Sequence, residues 1–296
     1  MHQPRIAILI LNWKKTAETI LCVKSVLRIS YWNYKIFLID NSADNKSCGK
    51  FQKEFGHNAK IRLLQTNSNL GYAGGNNYGS KIAFDDNYFD YLCILNNDTY
   101  VHKDFLKHLV QEAAKTGGNN IYTPLILAWK SDIIQSGGLN DYLPTAFQFG
   151  HKMEKDKGMR KIEESPYLRG CCFLIKANIY KKLEGFREDF FMYGEDIDFG
   201  RRAQKKGGRI YLIPTAKIWH KISKFSPASA YYTARNTFHL IHEQIPHKEI
   251  EYLRAAFWFI LLILINLYRL KFSTAAAFIW GILAFFRKEY FRNPSH

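Results

Sequence analysis

No two of the five cysteines in this 296-residue chain stand at a spacing that ligates a metal. Cys22, Cys48, Cys93, Cys171 and Cys172 are scattered and odd in number, and adjacent Cys171 and Cys172 would form a strained bridge at best. The pattern excludes a zinc module or a disulfide scaffold and predicts buried free thiols in a reducing cytosol. No secretory leader is expected either. The apolar run 6–11 is too short for one, and Asn12-Trp13-Lys14-Lys15 follows where small residues would precede cleavage. Neither G-x-G-x-x-G nor a Gly-Lys-Ser/Thr phosphate loop occurs, which excludes the two commonest nucleotide fingerprints. Acidic residues are scarce, 26 against 42 Lys and Arg, for a formal net charge of +16. Such an excess predicts an anionic partner, and nucleic acid, anionic lipid and nucleotide diphosphates all qualify. The basic residues are dispersed and no recognised module accompanies them, which argues against nucleic acid.

What is present is an apolar framework, 47% hydrophobic, sufficient for one large α/β domain with an appendage. Residues 6–11, 36–39, 61–64 and 91–95 read as buried strands, with a helix capped by Thr16 and a polar helix over 46–55 between them. A Gly- and Asn-rich loop, 67–77, precedes a further helix. Repeated strand–helix–strand units predict a mostly parallel sheet, whose ligands bind outside the carboxyl ends of the strands. Residues 123–165 read as short strands and a mobile loop, 169–176 as a strand, 195–206 as a helix, and 210–213 and 216–219 as two strands flanking Pro214. From about 226 the character changes. A helix over 231–244 is followed by apolar runs 255–268 and 272–286, bracketed by Arg254, Arg269, Lys271, Arg287 and Lys288. Each run falls short of the roughly 20 residues that span a bilayer, so helices lying in the interface or a shallow hairpin are expected, against the alternatives of buried core or dimer helices and of a tilted span.

Polar residues gather at the predicted strand ends. Asp40 closes Ile36-Phe37-Leu38-Ile39-Asp40-Asn41-Ser42, and by itself serves equally as an Asx-turn or cap. Asp98 ends Leu95-Asn96-Asn97-Asp98-Thr99, where a hard oxygen suits Mg²⁺ or Mn²⁺, though a turn residue would look the same. In Asn69-Leu70-Gly71-Tyr72-Ala73-Gly74-Gly75-Asn76-Asn77, glycines permit close backbone approach and the following helix start offers N–H donors. Glu195-Asp196 opens a helix, where acids are often only dipole partners. His220 follows Trp219 near Lys217, Lys221 and Lys224, cations suited to a diphosphate.

Taken in order, these segments resemble the family-two inverting glycosyltransferases with the GT-A fold, and most of all their bacterial rhamnosyltransferase-like members. The matching pieces are Ile8-Leu9-Ile10-Leu11-Asn12-Trp13, Leu38-Ile39-Asp40-Asn41-Ser42 with Asp44, the Gly/Asn stretch 69–77 and Leu95-Asn96-Asn97-Asp98-Thr99. Further on come Arg169-Gly170-Cys171-Cys172-Phe173, Phe191-Met192-Tyr193-Gly194-Glu195-Asp196-Ile197-Asp198 and Trp219-His220. The resemblance covers about the first 225 residues. It implies a GT-A catalytic domain over 1–225 and a helical membrane-associating region over 226–296.

The resemblance also implies roles. Asp40 would contact the nucleobase with Asn12 in the same pocket, and Gly71, Gly74, Asn77 and Asn97 would complete the donor site. Asp98 matches the last acid of the family's Asp-x-Asp metal motif, with Asn96 replacing the first, and His220 completes a Mg²⁺ or Mn²⁺ site. Asp196 matches the general base, with Glu195 beside it. The implied partners are a dTDP- or UDP-sugar donor, a saccharide or lipid-linked acceptor, and the cytoplasmic face of a membrane. Arg235, in Tyr231-Tyr232-Thr233-Ala234-Arg235-Asn236, would meet a phosphate of that acceptor. A catalytically silent, membrane-attached scaffold of the same fold is the alternative that the Asn96 departure leaves open.

Overall fold

A computed structural model describes residues 3–86, 88–136, 155–221, 225–246 and 248–289. Strands β1 (Ile6–Asn12), β2 (Tyr34–Asp40), β3 (Ile61–Gln65) and β4 (Tyr91–Asn96) form a parallel half-sheet in the order β3-β2-β1-β4. Helices α1 (Thr16–Val26), α2 (Asn45–Phe55) and α3 (Gly71–Asp86) make the crossovers. β1 is buried along its whole length, as a strand covered on both faces must be. Its odd and even positions go to different cores. Ile6, Ile8 and Ile10 pack with Val23, Phe51, Phe105 and Leu109, while Ala7, Leu9 and Leu11 pack with Ala73, Phe173 and Phe199.

The second half of the sheet is mixed. β5 (Thr99–Val101) and α4 (Phe105–Thr116) lead to β6 (Ile121–Ala128), β7 (Ile134–Ser136) and β8 (Glu163–Glu164). Then follow β9 (Cys172–Lys176), α5 (Ala177–Lys182), a short 3₁₀ turn Glu188–Phe190, α6 (Glu195–Lys205) and β10 (Ile210–His220). β9 runs antiparallel to β4 and β6, and β10 runs parallel to β6. Three helices close the chain: α7 (Pro227–Gln244), α8 (Lys248–Tyr268) and α9 (Phe272–Phe286). They share a cluster of their own around Phe238, Phe259, Phe278 and Phe285.

Several local expectations are corrected. Thr16 is the first residue of α1 and makes no cap hydrogen bond. The segments on either side of Pro214 are one strand, because β6 pairs with both; Ile213 faces Pro124 and Lys217 faces Leu125, with a register shift between them. Part of the mobile loop expected within 123–165 lies outside the described residues. All five cysteines are unpaired, and burial pushes the Cys22 and Cys171 thiols up to about 12.

The Gly/Asn stretch is a helix rather than a loop: Gly71 through Asn77 are the first two turns of α3. The glycines serve packing. A Cβ at Gly75 would stand 2.5 Å from Leu11 Cδ1, and one at Gly79 would stand 2.7 Å from Ile39 Cδ1. Both let α3 lie close on β1 and β2. Gly79→Ala is therefore expected to destabilise the fold by about 1–3 kcal/mol through overpacking, read as a lowered urea midpoint at unchanged slope.

The run 255–268 is also longer than its composition implied. α8 begins at Lys248 and has 21 residues, long and apolar enough to cross a membrane by length and composition. Its most apolar window is only 17% buried. α9 is shorter, with 15 residues.

Candidate active site

Parallel pairing in register sets the floor of the cleft. Asn12 stands opposite Asp40, and Leu11 opposite Asn96, so three polar strand ends share one edge. The chain then turns through Asn97 and Asp98 into β5, where Thr99 pairs with His220 at the end of β10. That pairing sets the imidazole against the carboxylate, with His220 Nε2 3.1 Å from Asp98 Oδ1. Gln135 Nε2 lies 2.9 Å from His220 Nδ1. An amide N–H only donates, so in this arrangement Nδ1 accepts and Nε2–H points at Asp98. Lys15 Nζ lies 3.4 Å from Asp98 Oδ2. Burial pushes the Asp98 carboxyl up, but the hydrogen bond and charge of His220, with Lys15, outweigh it and hold the group below the usual carboxylate range.

On the other side of β4, antiparallel pairing places Cys172 opposite Leu95, and Asn96 N–H donates to the Cys171 carbonyl at 2.8 Å. This carries Gly170 to the same edge, where its N–H donates to Asp196 Oδ2 at 2.9 Å. Any side chain at 170 would collide with Asp196, since a Cβ there would sit 2.9 Å from the Asp196 Cβ. Asp98 and the pair Glu195-Asp196 therefore line one cleft of about 1270 Å³, together with Trp13, Lys15, Asn41 and Asn69.

The acid pair is buried and asymmetric. Asp196 receives N–H donors on both oxygens, from Gly170 and Ile197. Glu195 Oε2 is buried and has no hydrogen-bond partner among the described residues. Burial pushes the Glu195 carboxyl well above its ordinary value, and the charges of Asp196 and Asp198 add to this. Burial also raises Asp196, opposed by the Gly170 and Ile197 N–H groups and by Arg169. Asp196 is accordingly the better-stabilised anion and Glu195 the partner that retains a proton. A raised folded-state value stabilises the fold fully below about pH 4.3, the unfolded value for Glu, and that stabilisation is lost as pH rises through the folded value. Glu195→Gln should thus raise the melting temperature relative to the parent at pH 8, with the gap closing toward pH 4 in pH-resolved melts.

Four predicted donor residues are placed differently from expectation. Asn12, Asp40, Gly74 and Asn77 are not among the residues lining the cleft. Asp40 is 1% exposed, with Oδ1 accepting from Asn12 and from the Ser42 N–H, and Oδ2 accepting from Ser47. Asn97 donates to Thr19, whose hydroxyl donates to Asn12 Oδ1, so the strand ends are tied into one hydrogen-bonded frame. Asn77 is used to hold the chain at Phe186, whose N–H and carbonyl it binds at 2.9 and 2.8 Å. Gly74 packs against Leu70 and Glu188. The N–H groups of Tyr72 and Ala73 at the α3 start both donate to the Phe191 carbonyl. Gly71 and Asn97 do line the cleft, and His220 stands behind Asp98 rather than in its wall.

Sequence reasoning missed two features. Lys15, beside Asp98, had its only signal in standing three residues past the end of β1. The other feature is the clamp on the loop before Glu195. Phe191, Tyr193 and Gly194 have φ of 61°, 65° and 92°, a strained path for two aromatic residues. Arg235 does not reach toward an acceptor. It is 0% exposed and donates to the carbonyls of Asp189 and Phe190, while Asn236 donates to those of Phe190, Met192 and Tyr193. Asp189, held by Arg187 and His239, braces the same loop. Arg235→Ala would leave buried carbonyls unpaired, so a loss of at least about 1.5–3 kcal/mol is expected. Arg235→Lys should not restore it in thermal melts, since one ammonium nitrogen cannot replace the Nε bond to Asn236 Oδ1 and the Nη1 bond to the Glu289 carbonyl as well as the two carbonyls that Nη2 binds.

For a divalent cation the donor set fits. Asn96 Oδ1 is buried without a hydrogen-bond partner among the described residues, and Asn96 lines the cleft with Asp98. Among the described residues no group of three His, Cys, Asp or Glu side chains could hold a metal. That matches an ion which keeps water and substrate phosphate oxygens as most of its ligands.

Comparison with known proteins agrees with this architecture. The family model described as Glycosyltransferase like family 2 matches residues 4–238. The low-salt glycan biosynthesis hexosyltransferase Agl10 of Haloferax volcanii is 25% identical over 174 residues, covering 55% of this chain and 52% of that protein. The N-acetylglucosaminyl-diphospho-decaprenol L-rhamnosyltransferase of Mycobacterium tuberculosis is 37% identical over 54 residues, 18% of each chain. This chain thus spans about half the length of the first of these relatives and less of the second. Mannosyltransferase PcManGT from Pyrobaculum calidifontis, solved with GDP-Man and Mn²⁺, superposes with a TM-score of 0.61 at 11% identity, over 98% of this chain and 89% of that one. With the family model covering well over half its length and the fold shared with a solved transferase, the chain belongs to glycosyltransferase family 2 and has the GT-A fold.

Proposed function

We propose that the protein transfers a sugar, with inversion at the anomeric carbon, from a nucleotide diphosphate donor to a hydroxyl of a saccharide or lipid-linked acceptor during cell-surface glycan assembly. The observation that carries this is the convergence of Asp98 with Glu195-Asp196 in one cleft at the carboxyl edge of the sheet. The donor diphosphate lies on the Asp98 side, where Lys15 supplies positive charge. Trp13 offers an aromatic face and Asn69 an amide group for the nucleobase, over the frame that Asn12, Asp40 and the buried Asn41 hold rigid. The acceptor hydroxyl approaches Asp196. As the bond from its oxygen to the anomeric carbon forms, Asp196 takes its proton, and the bond to the donor phosphate breaks with its electron pair leaving on the nucleoside diphosphate. Attack from the face opposite the leaving group inverts the centre, so no sugar–enzyme bond is required. Asp98 and Asn96, with His220 behind, would hold Mg²⁺ or Mn²⁺, which when bound neutralises charge on the departing diphosphate.

A pyrimidine donor, dTDP-rhamnose or a UDP-hexose, follows from the rhamnosyltransferase resemblance. Attachment to a membrane is supported by the exposed apolar surface of α8 and α9 and their bracketing cations; the cytoplasmic face is proposed from the unpaired cysteines. Thermal shift against UDP, dTDP and GDP, each with and without Mn²⁺ and Mg²⁺, tests the donor. A metal-dependent rise with UDP or dTDP, worth about 2.7 kcal/mol at a hundredfold excess over Kd, is expected. Stabilisation by GDP alone would reassign the base, and none by any nucleotide would remove the transferase assignment.

A further inference from the structure

We infer that the acceptor is an amphipathic lipid whose phosphate-bearing head enters the cleft beside Arg287 while its hydrocarbon chain lies along α9. This rests on the cleft being a transferase site and names the acceptor class for it. Ala277, Trp280 and Ala284 of α9, with Arg287 at its C-terminus, line the same cleft as Asp98 and Asp196. Their spacing places them on one helical face, so an element of the apolar C-terminal region forms a wall of the cleft. α9 is seated tightly: a Cβ at Gly281 would run into the Tyr231 carbonyl oxygen, and Tyr231 and Tyr232 of α7 continue the same wall.

The surface around that wall is apolar and uncovered. Trp280 is 57% exposed, and Phe272, Ile279, Leu283 and Phe286 of α9 are exposed as well. A water-soluble sugar acceptor gains from the rings alone, whereas a long alkyl or isoprenyl chain gains with each methylene it buries along the whole apolar face. Charge changes along the helix in the matching sense. Arg287 and Lys288 follow the apolar face, and Arg287 lines the cleft itself. A phosphate joining the chain to its sugar would meet these cations. Trp280, apolar with one N–H, suits the boundary between the two regions.

The test measures equilibrium binding of farnesyl diphosphate, farnesol and inorganic pyrophosphate to the full chain in nanodiscs, each with and without saturating UDP and Mn²⁺. Farnesyl diphosphate should bind at least tenfold tighter than the other two and should not be displaced by UDP. Trp280→Ala and Arg287→Ala should each weaken it about tenfold and leave UDP binding within twofold. Displacement by UDP, equal binding of pyrophosphate, or indifference to both substitutions would overturn the inference. So would a change of oligomeric state in the variants by analytical ultracentrifugation, which would assign the face to a second copy. If UDP itself fails to bind the parent protein, the transferase assignment fails, an outcome distinct from loss of farnesyl diphosphate binding alone.

Discussion

Asp196→Asn should lower turnover by about 10²–10⁴-fold, the range for loss of a positioned general base, while the Kd for the nucleotide stays within a factor of two. Asparagine keeps the size of the side chain, and its carbonyl still accepts from the Gly170 N–H. What it cannot do is take a proton. Glu195→Gln should be milder, because Glu195 has no N–H donors of its own on Oε2 and burial holds it protonated. Single-turnover rates with a saturating donor separate the two. Equal losses for both substitutions would mean that the pair acts as one unit with a shared proton. No loss for Asp196→Asn would remove it from the role of base.

Asp98→Ala should lower turnover by about 10²–10³-fold, the scale of one lost electrostatic contact to a developing negative charge. Unlike the first variant, it should also abolish the Mn²⁺-dependent part of nucleotide binding, measured by calorimetry with and without the ion. The parent protein should lose the function of Asp98 as pH falls. Its carboxyl lies below the usual range, so the charged state persists through about pH 4, the unfolded Asp value, and is lost only as pH drops through the lower folded value. Unaltered metal dependence in Asp98→Ala would place the cation elsewhere.

The parallel half of the sheet was legible because period and position carried it. Four apolar runs, each ending in or near a polar residue, sufficed to put Asp40 and Asp98 at one edge. The site was legible in its acids and less so in its supports. Asp40 took its nucleobase role from the family resemblance alone, since a carboxylate at a strand end reads equally as a turn or cap, and Ser42 and Ser47 bind it locally. The stretch from Gly71 read as a loop because glycine disfavours helix. The close approach to Leu11 and Ile39 that makes those glycines fit is a tertiary fact with no local trace. The same holds for Arg235, whose carbonyl partners lie more than 40 residues away in sequence. Pairing of β10 with β6 and β5, which delivers His220 to Asp98, is likewise long-range. Charge and hydropathy marked the C-terminal helices as apolar and bracketed by cations, but gave no sign that α9 would wall the catalytic cleft.

The most direct measurement follows the anomeric centre itself, by proton NMR of the first-formed product from an α-linked sugar nucleotide, recorded before any mutarotation or hydrolysis. A β-linked product is predicted, since Asp196 activates a hydroxyl that displaces the diphosphate in one step. An α-linked product, or a sugar covalently trapped on the protein in the absence of acceptor, would contradict the assignment of Asp196 as a base for direct displacement.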